Sequence, residues 1–204
     1  MIKNLILDFG AVLIPIDEKR TWQAFEDLGA TPDLKKQQST FQAYEKGKIS
    51  SKDFIKKIQP HFFRKNIFPG DLEKAWNAML YTSLQDEIIQ LLRKLGKDYR
   101  LYLLSNTNEL HISHIRQVSG HFRYHQFTRQ FEKIYFSHKA GMRKPEKQLF
   151  KTLLKNQDLK AEECLFIDDK QENIKAAMAL KIESWHFDPK ADRIQNIFQK
   201  LDGK

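Results

Sequence analysis

A single cysteine, Cys164, among 204 residues leaves no partner for an internal disulfide. Packing alone must therefore hold the fold, as suits a reducing cytoplasm. No uninterrupted apolar stretch approaches the roughly 20 residues that cross a bilayer. The N-terminal run MIKNLILDFGAVLIPI is broken by Asp8, and no small-residue cleavage site follows it, so neither a membrane partner nor a secretory signal is expected. Internal repeats and low-complexity segments are also missing, which excludes solenoid and fibrous architectures. The sequence thus predicts a soluble, cytoplasmic protein.

Charge is plentiful. Lys and Arg total 35 against 26 Asp and Glu, for a net +9. A basic excess can serve nucleic acid, membranes or anionic substrates. Here it is scattered in pairs such as Lys35-Lys36, Lys56-Lys57 and Arg64-Lys65, a pattern of solvated helix faces, so no nucleic-acid partner is expected. Hydrophobic residues make up 41% of the chain, enough for a packed core.

Five short apolar runs read as buried strands: Leu5–Asp8, Arg100–Ser105, Lys133–Phe136, Cys164–Asp168 and Glu183–Phe187. Helical patterns separate most of them. Leu84, Ile88, Ile89, Leu91, Leu92 and Leu95 make one apolar face, stopped by Gly96. Leu149, Phe150, Leu153 and Leu154 make another in a helix opened by Pro145 and Glu146. Ile174, Ala177 and Met178 mark a third. Alternating strand and helix implies an α/β fold, a Rossmann-like parallel sheet covered on both faces, whose ligands bind at the strands' carboxyl ends. The interval between the first two strands is too long for one crossover and carries only helical patterns, with Ser50 and Asp53 resembling a capping box. The expected organisation is a core of residues 1–15 and 83–204 with an inserted helical cap over 16–82.

Four groups fall at or just beyond consecutive strand ends. Asp8 closes the first, followed by Phe9 and Gly10; a carboxylate there suits nucleophilic attack, though it equally suits a turn. Ser105-Asn106-Thr107-Asn108 follows the second, with hydroxyl, amide and backbone donors for phosphate oxygens. Lys144, in Gly141-Met142-Arg143-Lys144-Pro145-Glu146, offers an ammonium that can neutralise phosphate and nucleophile together. Asp168-Asp169 follows Leu165-Phe166-Ile167. Two adjacent carboxylates repel each other unless a cation is near, and hard oxygen ligands suit magnesium. Asn173 stands ready to orient one of them.

Taken together, LILDFGAVL, LLSNTN, MRKPE and FIDDKQENI resemble, in order, the four motifs of the haloacid dehalogenase-like superfamily. The likeness is greatest to the branch of the glucose-1-phosphate phosphatases and the phosphatase half of soluble epoxide hydrolases, whose cap segment AYEKGKIS also resembles. The resemblance implies a magnesium-dependent phosphatase acting on a small phosphorylated metabolite. It implies Asp8 as nucleophile through an aspartyl-phosphate, with magnesium held by Asp8, Asp169 and the Gly10 carbonyl and Asp168 in the outer shell. Ser105 or Asn106, with Lys144 and the Phe9-Gly10 turn, would hold the phosphate.

One departure stands out. The superfamily's phosphatases usually carry a second aspartate two residues after the nucleophile, as general acid and base, and Gly10 occupies that position. The loss favours leaving groups that need little protonation, such as a sugar 1-phosphate or an acyl phosphate. Asp17 and Glu45 are substitutes for the acid, read alternatively as a helix cap and a solvated turn residue. Tyr44 and Lys46 share the same turn. His111, His114, His121, His125 and His138 read as surface or loop residues without zinc spacing. Rival functions are a metal-independent dehalogenase, against which Asp168-Asp169 argues, and a catalytically idle binder of a phosphorylated ligand.

Overall fold

A computed structural model describes residues 1–64 and 66–202, so Lys65 of the Arg64-Lys65 pair and the last two residues of the expected 83–204 core lie outside the described residues. Strands β1 (Asn4–Leu7), β2 (Arg100–Ser105), β3 (Lys133–Phe136), β4 (Cys164–Asp168) and β5 (Glu183–His186) form one parallel sheet in the order β3-β2-β1-β4-β5. The middle three carry the expected bounds. β1 sits one residue early, leaving Asp8 just past its end, and β5 stops one residue short, at His186.

Strand periodicity explains why both sheet faces are buried. Leu5, Leu7, Leu101, Leu103, Leu165 and Ile167 feed one apolar layer, while Ile6, Tyr102, Leu104 and Phe166 feed the other. Alternate side chains point to opposite faces, and a parallel sheet must cover both.

The segment between β1 and β2 opens with helices α1 (Glu18–Asp27), α2 (Gln38–Glu45), α3 (Ser51–Ile58) and α4 (Pro69–Asn77). Asp17 caps α1, accepting from Lys19 N at 3.1 Å, and Ser50 caps α3, accepting from Asp53 N at 3.1 Å. Each cap satisfies a first-turn N–H that has no partner within the helix. Phe25, Phe41, Tyr44, Phe54 and Trp76 gather here into a third, separate apolar cluster. Tyr44 stacks on Phe54 at 4.3 Å and its hydroxyl accepts from Leu110 N at 3.2 Å, so it belongs to the scaffold. The turn after α2 brings Gly47, at φ +65°, onto the core; any side chain would set a Cβ 2.0 Å from the His138 carbonyl oxygen. Only glycine satisfies both the left-handed backbone and this approach.

The remaining helices are α5 (Asp86–Leu95), α6 (Glu109–Ser119), α7 (His121–Thr128), the short α8 (Ser137–Ala140), α9 (Lys147–Asn156), α10 (Gln171–Met178) and α11 (Ile197–Asp202). α5 through Ile88, Ile89, Leu91 and Leu92 covers the first face, and α9 and α10 cover the second through Leu149, Phe150, Leu153 and Ile174. α9 starts at Lys147, later than Pro145, with Glu146 as its N-cap residue. No helix of the described residues is long and apolar enough to cross a membrane.

Candidate active site

Strand register decides which side chains meet. β1 and β4 pair Leu7 with Ile167, and Asp8 N donates to the Ile167 carbonyl at 2.9 Å. One step further along the same register, Asp8 and Asp168 stand side by side at adjacent strand ends. Both are buried, Asp168 completely. Two carboxylates so placed need a compensating cation, and Lys144 supplies one. Its ammonium, 1% exposed, lies 2.7 Å from Asp8 Oδ1 and 2.6 Å from Asp168 Oδ2.

Burial pushes the Asp8 carboxyl up to about 7, against the pull of Lys144 and with a further push from Asp168. Burial alone would lower the Lys144 ammonium, but the charges of Asp8 and Asp168 outweigh it and the net shift is upward. The triad is thus held together electrostatically in a water-poor setting. Asp168 is heavily engaged: besides Lys144, it accepts from Lys170 N and from Asn173 Nδ2, each at 2.8 Å. Asn173 thereby orients an acid of the pair, as its position suggested.

Asp169 is different. Its backbone carbonyl takes a bond of 2.9 Å from His186 Nε2, yet no other residue donates to its half-buried carboxylate among the described residues. Burial and the neighbouring Asp168 raise its affinity for a proton. Asp8, Asp168 and Asp169 each offer an oxygen within 4.8 Å of the others. An all-oxygen, acidic donor set with one carboxylate free suits a hard divalent cation such as magnesium.

The loop after β2 acts through its backbone partners. Asn106 Nδ2 donates to the Lys144 carbonyl at 2.9 Å, and Asn106 Oδ1 accepts from Lys144 N at 2.8 Å. This two-point clamp fixes the lysine's main chain to the loop. Asn106 lines the cavity, but Ser105 is 3% exposed and does not. Phe9 likewise turns its ring into the core, stacked on Phe127 at 5.3 Å, and faces the site only through its N–H, 2.7 Å from Asp8 Oδ1. At Gly10 a Cβ would lie 3.0 Å from the end of the Ile16 side chain, so Ile16 crowds the place where a second aspartate would stand.

Above these groups lies a cavity of about 340 Å³, reached from β1, α1, α2 and α4 as well as from the strand ends. Of the substitutes considered for the missing acid, Asp17 is the cap of α1 and lies outside the cavity lining. Glu45 lines it, paired with Arg143 Nε at 2.9 Å. Lys46 pairs with Glu146, joining the same turn to the core.

The histidines divide. His121 and His125 are exposed on α7, whereas His114 and His138 are half-buried, bonded to the carbonyls of Leu80 and Thr107. His111 contradicts the surface expectation outright: it is buried in α6, stacked on Trp76 at 5.0 Å, and it lines the cavity. Asn108 Oδ1 takes both the His111 N–H at 3.1 Å and the Trp76 indole at 3.3 Å, so its amide faces His111 Nδ1 at 3.1 Å. That leaves His111 Nε2 to carry the proton towards the Trp76 carbonyl, 3.2 Å away. Nothing in the local sequence predicts this burial, because Trp76 lies 35 residues earlier. Burial lowers the His111 pKa from 6.5 to about 4. The folded state therefore binds fewer protons than the unfolded state between those values. This part of the stability is complete above pH 6.5 and is lost as pH falls towards 4. At about 1.4 kcal/mol per pKa unit the loss is about 3 kcal/mol. Urea unfolding at pH 7, 5.5 and 4 should show it as the difference between the wild type and His111→Gln; parallel profiles would dismiss a neutral buried histidine.

A parallel sheet with an aspartate just past its first strand, an ammonium held on it and an acid pair beside it defines an enzyme of the Rossmann-like α/β class with a carboxylate-rich site at its strand ends. Residues 3–180 match the family described as haloacid dehalogenase-like hydrolase, and the chain belongs to that family. It is 29% identical over 202 residues to a D-ribitol-5-phosphate phosphatase of Bacteroides thetaiotaomicron, covering 97% of each chain. It is 28% identical over 190 residues to a sesquiterpene phosphatase of Aspergillus oryzae, covering 90% of this chain and 89% of the other. A crystal structure of a haloacid dehalogenase family enzyme from Bacteroides thetaiotaomicron, in complex with magnesium, is similar with a TM-score of 0.88 and 31% identity, covering 97% of this chain and 98% of that one. The wild-type enzyme of that kind in complex with magnesium and inorganic phosphate has a TM-score of 0.84 at 31% identity, covering 94% and 97%.

Proposed function

We propose that the protein is a magnesium-dependent phosphatase of small phosphorylated metabolites, working through an aspartyl-phosphate on Asp8. The observation that carries this reading is the Asp8–Lys144–Asp168 triad beside an unclaimed Asp169 carboxylate. Asp8 attacks phosphorus and the ester oxygen leaves, taking its proton from water; a second water then hydrolyses the acyl phosphate, releasing inorganic phosphate and restoring the carboxylate. Lys144 neutralises charge on the nucleophile and the transferring group, a task that positioning and fixed charge can perform almost alone. Asn106 keeps the lysine in place and Asp168 holds it from the other side. Asp8, Asp169 and the Gly10 carbonyl would hold magnesium with Asp168 in the outer shell; the ion supplies charge neutralisation between nucleophile and phosphate. Residues 16–82 serve as a cap over the strand ends, with 1–15 and 83–204 as the catalytic core.

Gly10 cannot relay a proton, and general acid–base help is worth about 10²–10⁴ in rate. Leaving groups of low basicity, a sugar 1-phosphate among them, lose least by this. The relatives' names span a polyol and a terpenoid, so the leaving group is a question for this chain's own cavity. The test is phosphate release from sugar, nucleoside, acyl and aryl phosphates with magnesium and with a chelator. Turnover is expected with the metal and should fall to background without it. Turnover that persists in chelator, or none in either condition, would sink the reading.

A further inference from the structure

The cavity has two unlike halves. Its floor is the charged cluster at the strand ends. Its roof is built from the segment between β1 and β2, where the aromatic and apolar side chains of Trp22, Phe41, Trp76 and Met79 line the cavity beside the polar Glu18, Thr21, Gln38 and Glu45. This wall is fixed by its own packing. Phe41 stacks on Trp76 at 5.6 Å and 11°, and Trp22 meets Phe41 edge-on at 6.0 Å and 83°.

Each polar side chain of the roof already has a protein partner. Thr21 Oγ1 donates to the Trp76 carbonyl at 3.0 Å and accepts from Met79 N at 3.2 Å. The Trp76 indole is turned to Asn108, and Gln38 Nε2 donates to the Lys35 carbonyl at 3.2 Å. Of the two roof carboxylates, Glu45 is paired with Arg143 at 2.9 Å in a part-buried bond, and Glu18 with Lys170 at 2.9 Å in a largely exposed one. A leaving group rich in hydroxyls would shed its water against polar groups that already have protein partners, and hydrogen bonds not fully replaced cost affinity. An apolar one would gain by leaving water and stacking on rings that need no reordering.

We infer that the site selects phosphomonoesters of apolar, unsaturated alcohols (aryl, benzylic or allylic) over those of polyols. This rests on the phosphatase reading and adds the leaving group to it. The absence of a proton relay at Gly10 points the same way for aryl esters, whose alcohols depart readily as anions.

The experiment compares kcat/KM for benzyl phosphate with that for a pentitol phosphate, two alkyl esters whose leaving groups differ little in basicity. The benzyl ester should be favoured by at least about tenfold. Trp22→Ala, which trims a half-exposed part of the roof, should raise KM for benzyl phosphate about tenfold and KM for the pentitol ester by a clearly smaller factor. A preference for the pentitol ester, or an equal effect of Trp22→Ala on both, overturns the inference while the phosphatase reading stands. If neither ester is hydrolysed, the phosphatase reading stands or falls on the wider panel above, and calorimetry decides the selectivity. Benzylphosphonate must then bind the magnesium-loaded protein at least about tenfold more tightly than a pentitol phosphonate; equal or reversed affinity overturns the preference.

Discussion

Lys144→Met should cost the metal-free protein about 3–5 kcal/mol, the usual result of removing one partner from a buried ion pair. For a chain of this size, at roughly 2–4 °C per kcal/mol, the melting temperature should drop by on the order of 10 °C. The reason is specific to the site. The ammonium is 1% exposed and lies within 2.7 Å of two carboxylates from adjacent strands, so methionine leaves Asp8 and Asp168 facing each other without a cation. Two further readouts separate this from loss of packing. The deficit should be largest above pH 7 and shrink as pH falls through about 7, where the raised Asp8 takes up a proton. It should also shrink in millimolar magnesium, because a cation bound only by the folded state restores stability by mass action. A variant that melts like the wild type without metal well above pH 7, where Asp8 is ionised, would show that the triad does not hold its charge in common.

Asp8→Asn should abolish turnover, by on the order of 10⁴-fold or more, as removal of a covalent nucleophile does. Stability should move the other way. Asparagine matches the shape of aspartate but brings no second negative charge beside Asp168, and burial already opposes ionisation at this place. The metal-free variant should therefore melt at or above the wild-type temperature. Steady-state phosphate release and calorimetric unfolding on the same preparation check both halves. Loss of activity with loss of fold would falsify the assignment of Asp8 to chemistry in preference to structure.

Much of this was legible in the sequence, because strands of a parallel sheet announce themselves as short apolar runs and their carboxyl ends converge by topology. That is how Asp8, Lys144 and the Asp168-Asp169 pair could be gathered from positions up to 161 residues apart. Side-chain direction was not legible. Ser105 and Asn106 are neighbours of similar polarity, yet register turns the first inward and leaves the second free to clamp Lys144. Glu45 reads as a solvated turn residue until Arg143, 98 residues later, folds against it. His111 reads as a surface histidine for the same reason: a tryptophan from another helix buries it. Local pattern encodes which element forms, and long-range contact decides what each side chain then touches.

The Asn106 clamp has a consequence for motion. Lys144 lies between α8 and α9, outside regular secondary structure, where backbone amides ordinarily exchange with solvent quickly. Its N–H is instead held by Asn106 Oδ1 at 2.8 Å while its carbonyl is held by the same side chain. Hydrogen exchange should find the Lys144 amide protected on the scale of the central strands, and Asn106→Ala should release it. The loop that presents the ammonium would then exchange as a loop, no longer tied to the end of β2.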